Sequence, residues 1–301
     1  PKDARRAREY LQMACDGGSG GGCREAGVFA IQGIGGAADA ARALNNFEKG
    51  CELGHGGACA AAGDYVARAE EGPLDATGAA RFYEKACTLG HGQGCLHRGA
   101  VLLRGDGVKT DGEAARDAFV LACGSGLLAG CAYGGWLAMV TGREEEALQL
   151  LERTCREGTD TLAAMSCFNH GYLLAGMQGK TMEGEGALLG ACERGYPVAC
   201  VALATLQLKV AEADARERAR LNVPSVQDHC RVEQEAESCL VVADWFDATE
   251  NPTDATHYRE IGMRYARKDC KAGDVISCFL GKDRKSLTPR VPPPVAEPPS
   301  H

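Results

Sequence analysis

The chain has 301 residues, 45% of them apolar and 25% charged, with 40 glycines and 16 cysteines. Lys and Arg number 33 against 41 Asp and Glu, a net charge of −8, and no basic stripe could track a phosphate backbone, which argues against nucleic acid as a partner. No run approaches the roughly 18 uninterrupted apolar residues of a membrane helix, so no transmembrane segment is expected. The abrupt helical pattern at Pro1 leaves room for a signal peptide or lipoprotein leader removed ahead of it, and so for a lipid anchor.

In chain order the cysteines fall into eight pairs with none left over: Cys15/Cys23, Cys51/Cys59, Cys87/Cys95, Cys123/Cys131, Cys155/Cys167, Cys192/Cys200, Cys230/Cys239 and Cys270/Cys278. Their first members recur at steps of 36, 36, 36, 32, 37, 38 and 40 residues. A fixed period of this size marks a repeat array, which overrides the two-domain expectation set by length.

Each repeat predicts the same elements. Eight residues before the first cysteine stand Ala7, Ala43, Ala79, Ala115, Ala147, Gly184, Asn222 and Gly262. Four before it stand Leu11, Phe47, Tyr83, Phe119, Leu151, Leu188, Val226 and Ala266. Small, large and Cys at i, i+4 and i+8 describe one face of a helix, helix A. Three residues after the first cysteine come Gly18, Gly54, Gly90, Gly126, Gly158, Gly195 and Gly273, with Glu233 breaking the series. A Gly there predicts a left-handed residue that closes the helix. Helix B then starts near the second cysteine. Four residues into it, Gly27, Gly63, Gly99, Gly135 and Gly171 give way to Ala204 and Ala243, small positions that would let another helix approach closely. Antiparallel helices joined by so tight a turn bring the paired cysteines within bridging distance.

The segments Phe47-Glu48-Lys49-Gly50-Cys51-Glu52-Leu53-Gly54 and Tyr83-Glu84-Lys85-Ala86-Cys87-Thr88-Leu89-Gly90 resemble the TPR-like Sel1-like repeat in its cysteine-rich form, whose best-known members are the helicobacter cysteine-rich proteins. The resemblance covers roughly residues 4–282 and fades after Cys200. The expected fold is all-α: a right-handed αα-superhelix, or solenoid, of about eight disulfide-stapled repeats over 1–282. Repeats seven and eight, about 205–282, are degenerate, as terminal repeats facing solvent can be. A Pro-rich tail over 283–301 has too few large apolar residues to build a core and is expected to be disordered.

Cys51-x3-His55-x3-Cys59 and Cys87-x3-His91-x3-Cys95 invite a zinc reading, but structural zinc sites use closer cysteine pairs. No metal or cofactor is expected, and His55 and His91 read as solvated turn residues. Reduced cysteines filling apolar positions would not explain strict pairing. Eight disulfides therefore point to an oxidising compartment: periplasm, cell surface or secretion.

The resemblance also implies penicillin binding with weak β-lactamase activity as an alternative function. None of the eight serines, Ser19, Ser125, Ser166, Ser225, Ser238, Ser277, Ser286 and Ser300, heads a Ser-x-x-Lys motif. Gly179-Lys180-Thr181 lacks the upstream glycine of a phosphate loop, and Glu144-Glu145-Glu146 reads as a helix start. The sequence thus reads as a non-enzymatic, extracytoplasmic scaffold whose curved face binds a protein or peptide. Six residues before the first cysteine, Glu9, Asn45, Arg81 and Asp117 vary at a repeated exposed position and are the candidate contacts.

Overall fold

The computed structural model describes residues 2–68, 75–208, 223–224, 226–234, 236–248 and 251–271, and among them every regular element is helical. Two compact units meet at Gly134 and Gly135. The first holds α1 (Lys2–Asp16), α2 (Gly20–Ile31), α3 (Ala40–Glu52), α4 (Gly56–Arg68), α5 (Ala76–Thr88), α6 (Gly92–Arg104), α7 (Gly112–Gly124) and the start of α8 (Leu128–Val140). The second continues with α9 (Glu144–Glu157), α10 (Thr161–Gly176), α11 (Thr181–Glu193), α12 (Pro197–Leu208), a π-helical turn (His229–Glu233), α13 (Ala236–Ala248) and α14 (Pro252–Lys271).

Capping sets the helix limits. Asp39, Asp75 and Asp111 recur at the repeat step, and their carboxylates accept from the backbone N–H of Arg42, Gly78 and Ala114 at 2.9, 2.8 and 3.0 Å, closing the open starts of α3, α5 and α7. At the other end Gly18, Gly54, Gly90, Gly126 and Gly195 take the left-handed conformation, with φ between 77° and 94°. Gly158 departs from the expected series. Its φ is −89°, and the connection it begins runs through Thr159 and Asp160 before α10. The eleven residues between Cys155 and Cys167 leave room for this longer turn, which needs no left-handed residue.

Seven disulfides close the repeats: Cys15–Cys23, Cys51–Cys59, Cys87–Cys95, Cys123–Cys131, Cys155–Cys167, Cys192–Cys200 and Cys230–Cys239, with Cα separations from 4.2 to 4.8 Å. The eighth expected pair, Cys270–Cys278, lies outside the described residues, as does the Pro-rich segment 283–301. So close an approach needs a thin helix crossing. Beside four staples the crossing pairs one alanine with one glycine: Ala14 with Gly22, Ala58 with Gly50, Ala86 with Gly94, and Ala122 with Gly130.

The conserved spacing of the later glycines serves contacts between repeats rather than within them. A Cβ on Gly63 would lie 2.7 Å from the Tyr83 ring, one on Gly99 2.6 Å from Phe119, and one on Gly135 2.8 Å from Leu151. Gly63, Gly99 and Gly135 therefore receive the large residue of the following helix A, whereas Gly171 lies against the backbone of α11. The small residue one turn earlier, Ala43, Ala79 or Ala115, is buried in the same seam. α2, α4, α6 and α10 are consequently flanked on both sides by helices A, and α2, α4 and α6 also touch one another in sequence. Helices A keep a solvent face.

Among the described residues no helix is long and apolar enough to cross a membrane.

Candidate functional site

Polar side chains converge in the first unit where α2, α4 and α6 run side by side. Arg24 is on the first turn of α2, Asp64 is midway along α4, and His97 is in the second turn of α6. His55 and His91 stand one residue before α4 and α6. All five are half-buried.

His55 and His91 are helix caps, which corrects their reading as solvated turn residues. The N–H of Ala58 donates to Nδ1 of His55 at 3.1 Å, and the N–H of Gly94 donates to Nδ1 of His91 at 3.2 Å. Ser19 occupies the same place in repeat one and accepts from Gly22 N–H at 3.1 Å. A neutral imidazole accepting at Nδ1 carries its proton on Nε2, so both rings keep an N–H donor on the side away from the cap. Gly57 leaves the space in which they meet: a Cβ there would lie 3.1 Å from His55, 3.4 Å from Arg24 and 3.4 Å from Nε2 of His91.

Electrostatics favour the neutral form of His91. Burial is the main cause that lowers the His91 pKa below the ordinary 6.5, and Arg24, His55 and His97 push the same way while Asp64 opposes them. Arg24 is ion-paired with Glu25. Asp64 accepts the Tyr83 hydroxyl at 3.0 Å and lies 3.5 Å from Nε2 of His97. The Tyr83 ring, seated on Gly63, packs against His97 with ring centroids 4.9 Å apart. Gln93 adds an amide 3.1 Å from Nε2 of His97. N–H donors thus stand beside the carboxylates of Glu25 and Asp64 over three repeats, a surface suited to the carbonyls, carboxylates and amides of a peptide.

The four residues picked from the sequence are placed differently. Glu9, Asn45, Arg81 and Asp117 lie exposed on α1, α3, α5 and α7, one per repeat. Their polar contacts are local: Glu9 pairs with Arg5 at 3.6 Å, and Asp117 pairs with Arg116. They form a stripe on the solvent side of helices A, separate in kind from the half-buried cluster on helices B. The signal for the latter was present in the sequence, because His55 and His91 sit at the offset where Ser19 marks a cap.

The described serines have structural partners or burial. Ser19 caps α2, and the hydroxyls of Ser125 and Ser166 donate to the carbonyls of Ala122 and Leu162 at 2.7 and 2.8 Å. Ser238 is buried in α13. Gly179 takes a left-handed turn ahead of α11, and Glu144, Glu145 and Glu146 form the first turn of α9.

No family model matches the chain, and no curated protein does. Solved structures do. A protective antigen of uropathogenic Escherichia coli displaying an SLR fold superposes with a TM-score of 0.63 over 93% of this chain at 17% identity. This chain spans 62% of that protein's length. A Sel1 repeat protein from Oxalobacter formigenes aligns with 64% of this chain and 80% of its own at 21% identity and a TM-score of 0.49. Cysteine-rich protein B of Helicobacter pylori aligns with 43% of this chain and 93% of its own at 29% identity and a TM-score of 0.37. The first superposition establishes the fold, and the cysteine pairs fall at the repeat step within it. The chain has the SLR fold of that antigen, with seven of its helix pairs closed by disulfides among the described residues.

Proposed function

We propose that this protein is an extracytoplasmic scaffold, periplasmic, cell-surface or secreted, that binds a protein or peptide partner without chemical turnover. Seven disulfides support an oxidising compartment, where such bridges persist. The observation that carries the binding role is the convergence of Arg24, His55 and His91 over Gly57, joined by the Tyr83–Asp64–His97 group. Three successive repeats contribute to one surface, as helical arrays do when they hold an extended segment. The exposed stripe Glu9, Asn45, Arg81 and Asp117 is the second proposed contact surface.

The experiment is selection of binders from a displayed random-peptide library on the oxidised protein, followed by affinity measurement against two variants. Arg24→Ala with His97→Ala removes donors from the helix-B face, and Glu9→Ala with Arg81→Ala alters the helix-A stripe. Loss of about tenfold or more in affinity with the first pair and little change with the second supports the helix-B face. The reverse pattern moves the site to the stripe. Failure to enrich any peptide overturns the scaffold reading.

A further inference from the structure

Among the described disulfides, Cys155–Cys167 stands apart. Its cysteines are twelve residues apart, against eight or nine in the other six, and its turn lacks the left-handed glycine. Cys155 is half-exposed while Cys167 is buried. A side chain from the following repeat closes over the bridge. Nη1 of Arg194, on the residue that ends α11, donates to the Cys155 carbonyl at 2.8 Å and lies 2.9 Å from Sγ of Cys167. The neighbouring bridge Cys192–Cys200 is a useful contrast. Both of its cysteines are partly exposed, and a carbonyl faces one sulfur of each bridge, Tyr196 O at 3.9 Å from Sγ of Cys200 and Cys155 O at 3.6 Å from Sγ of Cys167, so the Arg194 guanidinium is what distinguishes Cys155–Cys167.

Thiol–disulfide exchange needs a sulfur that an incoming thiolate can reach, and a second sulfur that can leave carrying negative charge. A guanidinium beside a sulfur favours its thiolate form. Cys155, the more exposed of the pair, is assigned the first role, and Cys167, beside Nη1 of Arg194, the second.

We propose that Cys155–Cys167 is a modification site for a reduced dithiol, attacked at Cys155 and opened with Cys167 as the leaving thiolate. One thiolate of the dithiol forms a bond to Sγ of Cys155. The Cys155–Cys167 bond breaks, and its electron pair stays on Sγ of Cys167, paired with Arg194. The second thiol of the dithiol gives its proton to solvent and attacks the mixed disulfide, which releases Cys155 as a thiolate that takes a proton from solvent. The dithiol ends as a disulfide, oxidised by two electrons, and the cysteine pair is reduced by two. Arg194 is a positioning residue in this reaction, holding the leaving sulfur's charge without bonding to the reductant. Opening the bridge removes the covalent tie between α9 and α10 while the other six described staples stay closed.

Limited reduction of the intact oxidised protein with dithiothreitol, quenched with one alkylating reagent and followed by full reduction and a second, gives the order of opening by peptide mass spectrometry. Cys155 and Cys167 are expected to carry the first label before Cys192 and Cys200. Arg194→Met, with an unchanged melting curve, should slow opening of Cys155–Cys167 by about threefold or more and leave Cys192–Cys200 unaffected, while Arg194→Lys retains most of the rate. Simultaneous opening of all bridges, or Cys192–Cys200 opening first, overturns the proposal in the unmodified protein whatever the variants do. A faster opening in Arg194→Met also overturns it, because Arg194 would then be only a packing element that keeps reductant out.

Discussion

The ring of Phe47 fills the space that a side chain on Gly27 would need: Cε1, Cδ1 and Cζ all crowd the position of the missing Cβ. Phe47 is 3% exposed, so its ring is held from all sides and cannot turn aside at low cost. Gly27→Ala is expected to cost about 1–3 kcal/mol, the range for overfilling a packed site. Gly18→Ala tests a different mechanism, since nothing lies within 4 Å of a Cβ there and only its φ of +92° is unfavourable. Pairing each alanine with Phe47→Leu separates them in denaturant titrations. The leucine should recover part of the loss at Gly27 and none at Gly18.

That pairing of glycine with a large residue was legible, but its direction was not. Periodicity placed Gly27, Gly63 and Gly99 on helix B and Phe47, Tyr83 and Phe119 on helix A, and seven of the eight cysteine pairs are staples among the described residues. Nothing in a single repeat says whether its glycine faces its own helix A or the next one, because both lie antiparallel to it. The repeat-to-repeat trend contains the answer. Gly occurs where the following repeat has Phe, Tyr or Leu, and Ala204 and Ala243 occur where it has Val226 and Ala266. The half-buried cluster was harder to see because only His55 and His91 share an offset, while Arg24, Asp64 and His97 stand one, five and two residues after their second cysteines. A repeat alignment highlights what recurs, and this surface is made of what does not.

The aspartate caps offer a test of local helix energetics. Asp39, Asp75 and Asp111 each satisfy a backbone donor at the start of a helix A. Replacing any one with Ala should cost about 1 kcal/mol, within the usual range of 0.5–2. Asp39→Asn should cost much less, because the amide oxygen can still accept. Chemical denaturation of the oxidised protein is the measurement, and equal losses for Asp39→Ala and Asp39→Asn would show that charge near the helix start matters more than the cap itself.

Stability should fall on mild acidification. His91 and His170 are both held below the usual 6.5, chiefly by burial, so the folded chain binds protons less readily than the unfolded chain. The stabilisation is complete above 6.5 and is lost as the pH drops from there through the folded values. At His91 the cap geometry acts in the same direction as burial, because a proton on Nδ1 would face the N–H of Gly94. His91→Ser should keep a cap of the kind Ser19 provides and flatten the decline, leaving the part that His170 contributes. Denaturation midpoints at pH 8 and pH 5 for both proteins check this. An unchanged slope in His91→Ser would remove His91 as a source of the effect.

The staples themselves should act locally and in parallel. Cys51–Cys59 closes a loop with a separation of eight residues, for which chain entropy gives about 2.5 kcal/mol. The double variant Cys51→Ser with Cys59→Ser removes that bridge without leaving an odd thiol to exchange with the others. Both cysteines are at most 1% exposed, so the serine hydroxyls must also find partners among the carbonyls at the turn, and the full loss should reach about 3–4 kcal/mol. Because each repeat packs on its neighbours through seams such as Gly63 with Tyr83, the loss should destabilise adjacent repeats without unfolding them outright. Hydrogen exchange then distinguishes two outcomes. Faster exchange confined to α3, α4 and the helices they touch means that the staples stabilise repeat by repeat, whereas uniform acceleration across the first unit means that its repeats unfold as one cooperative body.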